Sequence, residues 1–174
     1  KPGSGEATNI TGNWNVKFIV GGPSIPAALQ TRELKSWTEF GGDAVKYFSG
    51  TATYSINFAK PAAQADAWEL DLGTVHETAR VILNGKEVAA LIKPPYRVTV
   101  LAEMLRNGEN TLEVSVSNLM ANRIIDMDNK GIEFRRFYNA NMQRMPSWKG
   151  SNPLPSGLIG PVRLSPVLKF EPAP

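Results

Sequence analysis

An all-β fold, an antiparallel sandwich or barrel, is what this chain of 174 residues predicts, and three observations carry the prediction. Apolar and polar residues alternate with a period of two through run after run, as they do in strands buried on one face. Asn84-Gly85 sits between two such runs, and both residues tolerate the positive φ that a two-residue type I′ hairpin turn demands. Finally, 15 glycines and 13 prolines punctuate the chain, and no amphipathic run exceeds about three turns of helix.

The strands follow in order. In "GNWNVKFIV", Trp14, Val16 and Phe18 alternate with Asn13, Asn15 and Lys17. In "TATYSINF", Ala52, Tyr54, Ile56 and Phe58 share one face, and Thr51, Thr53, Ser55 and Asn57 share the other. "WELDLG" groups Trp68, Leu70 and Leu72, leaving Glu69 and Asp71 outside, and "ARVILNGKEVAAL" is the hairpin. "YRVTV" and "NTLEVSV" align Tyr96, Val98 and Val100, then Leu112, Val114 and Val116, with one helical turn expected in "LAEMLRNGE" up to Gly108. The last strand is "VRLSPVLKF", and Pro166, which has no N–H for a ladder, places it at a sheet edge or a bulge. Trp14, Tyr54, Phe58 and Trp68 fall in strand register and are assigned to the core. Gly50, Gly73, Gly85 and Gly160 are read as turn, bulge or close-approach residues, because no strand-to-helix context suits a phosphate cradle.

The length suits a single domain, residues 1–174, that buries a core without metal or disulfides. Having no cysteine, the chain excludes thiolate nucleophiles and Cys-based metal sites. No apolar run reaches the length of a membrane span, and the opening "KPGSGEATNITG" leads to the expectation of a soluble piece of something longer.

Two long irregular segments stand outside the strand pattern, "GGPSIPAALQTRELKSWTEFGGDA" and "LMANRIIDMDNKGIEFRRFYNANMQRMPSWKGSNPLPSG". Loops of this length are usually functional, packed against a neighbour or disordered, and the rings and aliphatic residues of the second argue against disorder. Trp37, in the first segment, has no strand register to assign it.

Several motifs together resemble the galactose-binding-like β-sandwich domains found beside the catalytic domains of large glycoside hydrolases. They are "YFSGTATYSINF", "LDLGTVHETARVILNGKEV", "PPYRVTV", "GENTLEVSVSN" with "NR" shortly after, and "PSGLIGPVRL", in an order that runs from about Gly12 to Leu168. The likeness is to the accessory domain of α-L-rhamnosidase-like enzymes and to the sugar-binding domain of β-galactosidase and β-glucuronidase relatives. It implies an antiparallel jelly-roll sandwich, galactose-binding domain-like, that is itself non-catalytic. It also implies an extracytoplasmic setting, periplasmic or secreted. The expected partners are a catalytic domain of the same parent chain and an oligosaccharide. Two departures limit the likeness: Ile92 and Lys93 stand where the family has a Trp before "PPYR", and "NRIIDMD" stands for an "NRLIGD"-like run.

Chemistry within the chain itself has few candidates. Glycoside hydrolysis needs two carboxylates facing each other across a bond; Asp126 and Asp128, with Glu133 nearby, are the closely spaced acids of the irregular segment, and solvated loop acids are the favoured reading. His76 is the sole histidine and has no nucleophile motif beside it. "DMDNKG" opens like a calcium loop, but Lys130 and Phe137 stand at the fifth and twelfth positions, which excludes an EF-hand. No cofactor is expected; a structural calcium ion, implied by the resemblance, has no ligands that sequence can place.

Between Leu119 and Gly150 six basic residues (Arg123, Lys130, Arg135, Arg136, Arg144, Lys149) face three acids (Asp126, Asp128, Glu133), and the surplus of three equals the net charge of +3. Phe134, Phe137, Tyr138 and Trp148 are interleaved with them. Such a small net charge disfavours nucleic acid; sugar contact and docking on another domain remain, beside simple covering of the sandwich end. The contact residues expected on this reading are Asn122, Arg123, Arg135, Tyr138 and Trp148, on a rim loop from Asn122 to Trp148. Arg123 has an equal alternative, a structural fork that pairs with Asp126.

Overall fold

The computed structural model describes residues 6–132 and 147–168, and in them the period-two runs become two antiparallel sheets that share one core. The strands are β1 (Thr8–Asn9), β2 (Trp14–Gly22), β3 (Leu29–Thr31), β4 (Ser49–Ala59), β5 (Ala67–Asp71), β6 (Thr74–His76), β7 (Thr78–Leu83), β8 (Lys86–Leu91), β9 (Arg97–Leu101), β10 (Glu109–Ser117), β11 (Gly157–Gly160) and β12 (Arg163–Val167). Six of them form a sheet in the order β3-β2-β4-β10-β7-β8, four form a second in the order β1-β12-β5-β9, and β11 pairs with β6.

Alternation decides which residues meet between the sheets. Trp14, Val16 and Phe18 of β2, Ala52, Tyr54 and Ile56 of β4, and Leu112, Val114 and Val116 of β10 are buried from one side. Trp68 and Leu70 of β5, Val100 of β9 and Leu164 of β12 are buried from the other. At about 25 cal/mol per Å² of apolar surface, these rings and branched side chains are the main source of stability. Asn84 and Gly85 have φ of 52° and 82°, as the hairpin turn between β7 and β8 requires. The Asn84 side chain also donates to Met104 O and Asn110 Oδ1, at 2.9 and 2.8 Å, tying the turn to the neighbouring loop.

Two expectations about the strands and turns need correcting. Pro166 does not mark an edge strand: β12 lies between β1 and β5. Proline is tolerated because β1 is only two residues long and pairs with Leu164 and Arg163, so among the described residues no strand partner pairs with Pro166 on that side. The turn in "LAEMLRNGE" is a short 3₁₀ segment, Ala102–Met104, that ends at Leu105 rather than at Gly108.

The irregular segments also hold regular structure. The first contains β3, a 3₁₀ turn over Trp37–Glu39 capped by Ser36, and the short helix α1 (Asp43–Lys46). Trp37 is fully buried, its ring edge-to-face with Phe18 and Phe48 at centroid distances of 5.6 Å. The second contains helix α2 (Ala121–Asn129), where a loop was expected. Its inward face is Asn122, Ile125, Asp126 and Asp128, so the apolar period that announces a helix is replaced by polar residues with buried partners. Gly131, at φ 64°, ends it: the N–H groups of Gly131 and Ile132 return to Asp128 O and Met127 O. No described helix is long and apolar enough to cross a membrane.

Candidate contact site

Helix α2 sits at the end of the sandwich where β10 finishes, and a set of hydrogen bonds fastens it there. Asn118, just past β10, accepts from Gly50 N–H at 2.8 Å and donates to Phe48 O at 3.0 Å and to Ser156 Oγ at 2.9 Å. Asn122, one turn into the segment, is only 1% exposed. Its amide brackets the backbone of Leu154, accepting from the N–H at 2.7 Å and donating to the carbonyl at 2.9 Å, and it also donates to Ser156 Oγ at 3.1 Å. Ser156 N–H in turn donates to Ser36 Oγ at 3.0 Å. The network therefore joins the first irregular segment, α2 and the chain leading into β11.

The charged residues of α2 are also engaged internally. Asp126, buried, is held by Arg123 Nη1 at 3.0 Å and by Lys130 Nζ at 2.6 Å, one turn away on either side. Asp128 accepts from Trp148 N–H at 2.7 Å. The two acids thus face different partners across the helix, and neither is presented to a bond lying between them. A calcium ion does not fit here: Asp126 is already flanked by two cations, and among the described residues no three His, Asp or Glu side chains converge. His76 Nδ1 lies 3.7 Å from Glu77 Oε1 in a strand-edge pair.

Of the residues expected to make contact, Asn122 is not on the rim but inside the end of the fold. Arg123 adopts the fork geometry toward Asp126, and its backbone N–H donates to Ser49 Oγ at 3.1 Å. Trp148 is 38% exposed beside α2. Arg135 and Tyr138 lie outside the described residues.

Sequence reasoning did not find the polar centre behind this end. Tyr54 Oη accepts from Trp37 Nε1 at 2.5 Å and from Leu158 N–H at 3.2 Å. Burial pushes the phenol from 10.0 up to about 12, against the smaller opposing pull of those two donors. Gly157, at φ 96°, packs against both rings, and any Cβ there would collide with Trp37 Nε1 and Tyr54 Oη. Period two assigned Tyr54 to the core; its partners come from distant segments and leave no local signal.

A second surface lies on the outer face of the six-stranded sheet. Hydroxyls pair across β4 and β10, Thr51 with Ser117 at 2.7 Å and Thr53 with Ser115 at 2.8 Å. An open groove of about 640 Å³ runs beside them, with Asn15, Lys17, Gln30, Ser55 and Glu113 in its lining.

No protein-family model matches the chain. A protein of Formosa agariphila that carries a beta-glucuronidase name is 35% identical over 186 aligned positions, which cover 90% of this chain and 15% of the relative. The solved rhamnosidase of Novosphingobium sp. PP1Y superposes with a TM-score of 0.72 at 33% identity, over 95% of this chain and 16% of that one. The chain is similar to one part of much larger glycoside hydrolases. The beta-D-glucuronidase of Dictyoglomus thermophilum, at 18% identity and a TM-score of 0.62 over 97% of this chain, shares the fold. The expected resemblance and the antiparallel β-sandwich both hold.

Proposed function

We propose that this chain is a non-catalytic accessory domain of a glycoside hydrolase, built to dock on a separate catalytic domain of the same longer protein. The observation that carries the reading is the span of the likeness: nearly the whole chain aligns with about one sixth of the relatives. The chemistry of the α2 end supports it, because Asp126 and Asp128 are committed to bonds within the fold. In this reading Trp148 belongs to the contact surface, while Asn122 and Arg123 shape that surface from behind. An extracytoplasmic setting is part of the proposal. The test is co-purification of the tagged chain with the remainder of its gene product expressed separately; failure of the two to associate would count against docking.

A second reading is favoured by one feature, the outer-sheet groove. Its amide, hydroxyl and charged side chains can hydrogen-bond sugar hydroxyls in pairs. Calorimetric titration with a panel of oligosaccharides tests it, and heat that disappears in a Glu113→Ala, Asn15→Ala variant would assign the groove to sugar.

A further inference from the structure

The large apolar side chains left exposed are not scattered. Eleven are exposed among the described residues, and all but Leu101 and Leu168 fall at the α2 end of the sandwich, which leaves nine there. Strand register places them. Val20 is paired with Thr51, Thr51 with Ser117, and Ser117 with Thr78, so this row marks one end of the six-stranded sheet. Leu119 and Met120 continue from Ser117, and Ile92 continues from Leu91, which pairs with Ala79 in the adjacent row. Ile19 and Ile92 line one groove of about 470 Å³ on this end. Ile25 is in the loop that leaves β2 here, Leu154 is clamped by Asn122, Trp148 by Asp128, and Ile132 closes α2.

The opposite end is where β9 and β12 finish, since Leu101 and Val167 both pair with Ala67 at the start of β5. Among the described residues, two exposed apolar side chains lie there. A solitary exposed leucine needs no explanation, but a cluster on one end, including Ile92 at 78% and Met120 at 61% exposure, does.

Charge around the cluster is mixed: Lys17, Lys93, Lys130 and Lys149 lie within two positions of these side chains in the sequence, while Glu77, whose N–H is bonded to Ser117 O, and Asp43 of α1 are acids of the same end. Asp126 and Asp128, the acids of α2, are turned inward to their partners. Apart from the Trp148 ring, the cluster is made of side chains such as Val20, Ile92 and Met120, which offer no ring face for a sugar and few polar atoms to pair its hydroxyls.

We propose that the α2 end is the docking face of this domain, and that its partner is a folded, apolar surface of the same longer protein. This rests on the accessory-domain reading above and specifies the surface it uses. Desolvated aliphatic and aromatic anchors supply the affinity.

Hydroxyl-radical footprinting, read by mass spectrometry, compares the chain alone with the full-length gene product that contains it. Met120, Trp148, Leu154 and Ile92 are expected to oxidise about tenfold more slowly in the full-length protein, as for side chains at the dry centre of an interface, with Leu101 unchanged. Protection at Leu101 or on the outer sheet face instead, with Met120 and Leu154 unchanged, would overturn the surface and leave the accessory reading standing. Absence of any protection would remove both. Sedimentation of the full-length protein with mixed phosphatidylcholine–phosphatidylserine vesicles, lost in Met120→Glu, would also overturn the proposal in favour of a lipid surface. Met120 precedes the first turn of α2, where a glutamate is favourable to the helix, so this variant keeps the fold.

Discussion

Replacing Asn122 by alanine separates a structural asparagine from a contact residue. The substitution removes three hydrogen bonds, two to the backbone of Leu154 and one to Ser156 Oγ. Ser156 Oγ keeps its bond from Asn118 and its own bond to Leu154 O, so that hydroxyl remains satisfied. What is left is the Leu154 N–H, with its side chain 40% exposed and water within reach, and the void of a buried amide. Each buried polar group left without a partner costs about 1–3 kcal/mol, and water access at Leu154 holds the total to about 2–4 kcal/mol. For a domain of this size that is roughly 5–15 °C in melting temperature. Thermal unfolding followed by circular dichroism reads it directly. A variant that melts within about 2 °C of the parent would refute the reasoning, because a clamp with no thermodynamic effect is only a neighbour.

Three further outcomes are expected. Arg123→Ala costs only roughly 1–2 kcal/mol in urea titration, since Lys130 remains on the Asp126 carboxylate and both cations reach solvent; a loss as large as that of Asn122→Ala would contradict this. Burial holds the Tyr54 phenol protonated: the unfolded phenol releases its proton near pH 10 and the folded one near 12, so stability is full below about 10 and falls by up to roughly 3 kcal/mol as the pH rises through 12. Tyr54→Phe removes that alkaline decline in a stability profile against pH. Gly157→Ala fails to fold or loses more than about 3 kcal/mol, because its φ of 96° and the Trp37–Tyr54 contact leave no room for a methyl group; a variant of ordinary stability would show that the two rings can move apart.

What could be read in the sequence was whatever local pattern determines. Trp14, Val16 and Phe18 announce β2 because one face is dry and the other wet, and Asn84-Gly85 announces its turn because few other pairs accept two positive φ values. Trp37 gave no such signal: its burial is set by Phe18, Phe48 and Tyr54, which arrive from three separate strands and loops. The strands β1, β6 and β11 are two to four residues long, too short for a period to show, and are defined only by their partners, β12 for β1 and each other for β6 and β11. Helix α2 was hidden for a different reason. Its buried face is polar, and Asn122 and Asp126 look like surface residues until their partners at Leu154, Ser156, Arg123 and Lys130 are known. The same disguise made Asn122 read as a contact residue, since a rim asparagine and a buried clamp are the same letter in the same place after a strand.

The accessory, non-catalytic role is tested most directly by turnover. The isolated chain, incubated with aryl glycosides of rhamnose, galactose, glucose and glucuronic acid, should release no aglycone, whereas the full-length gene product should hydrolyse at least one glycoside. Release by the isolated chain that disappears in an Asp126→Ala, Asp128→Ala double variant would contradict the account, since Asp126 is paired with Arg123 and Lys130 and Asp128 is bonded to the Trp148 N–H.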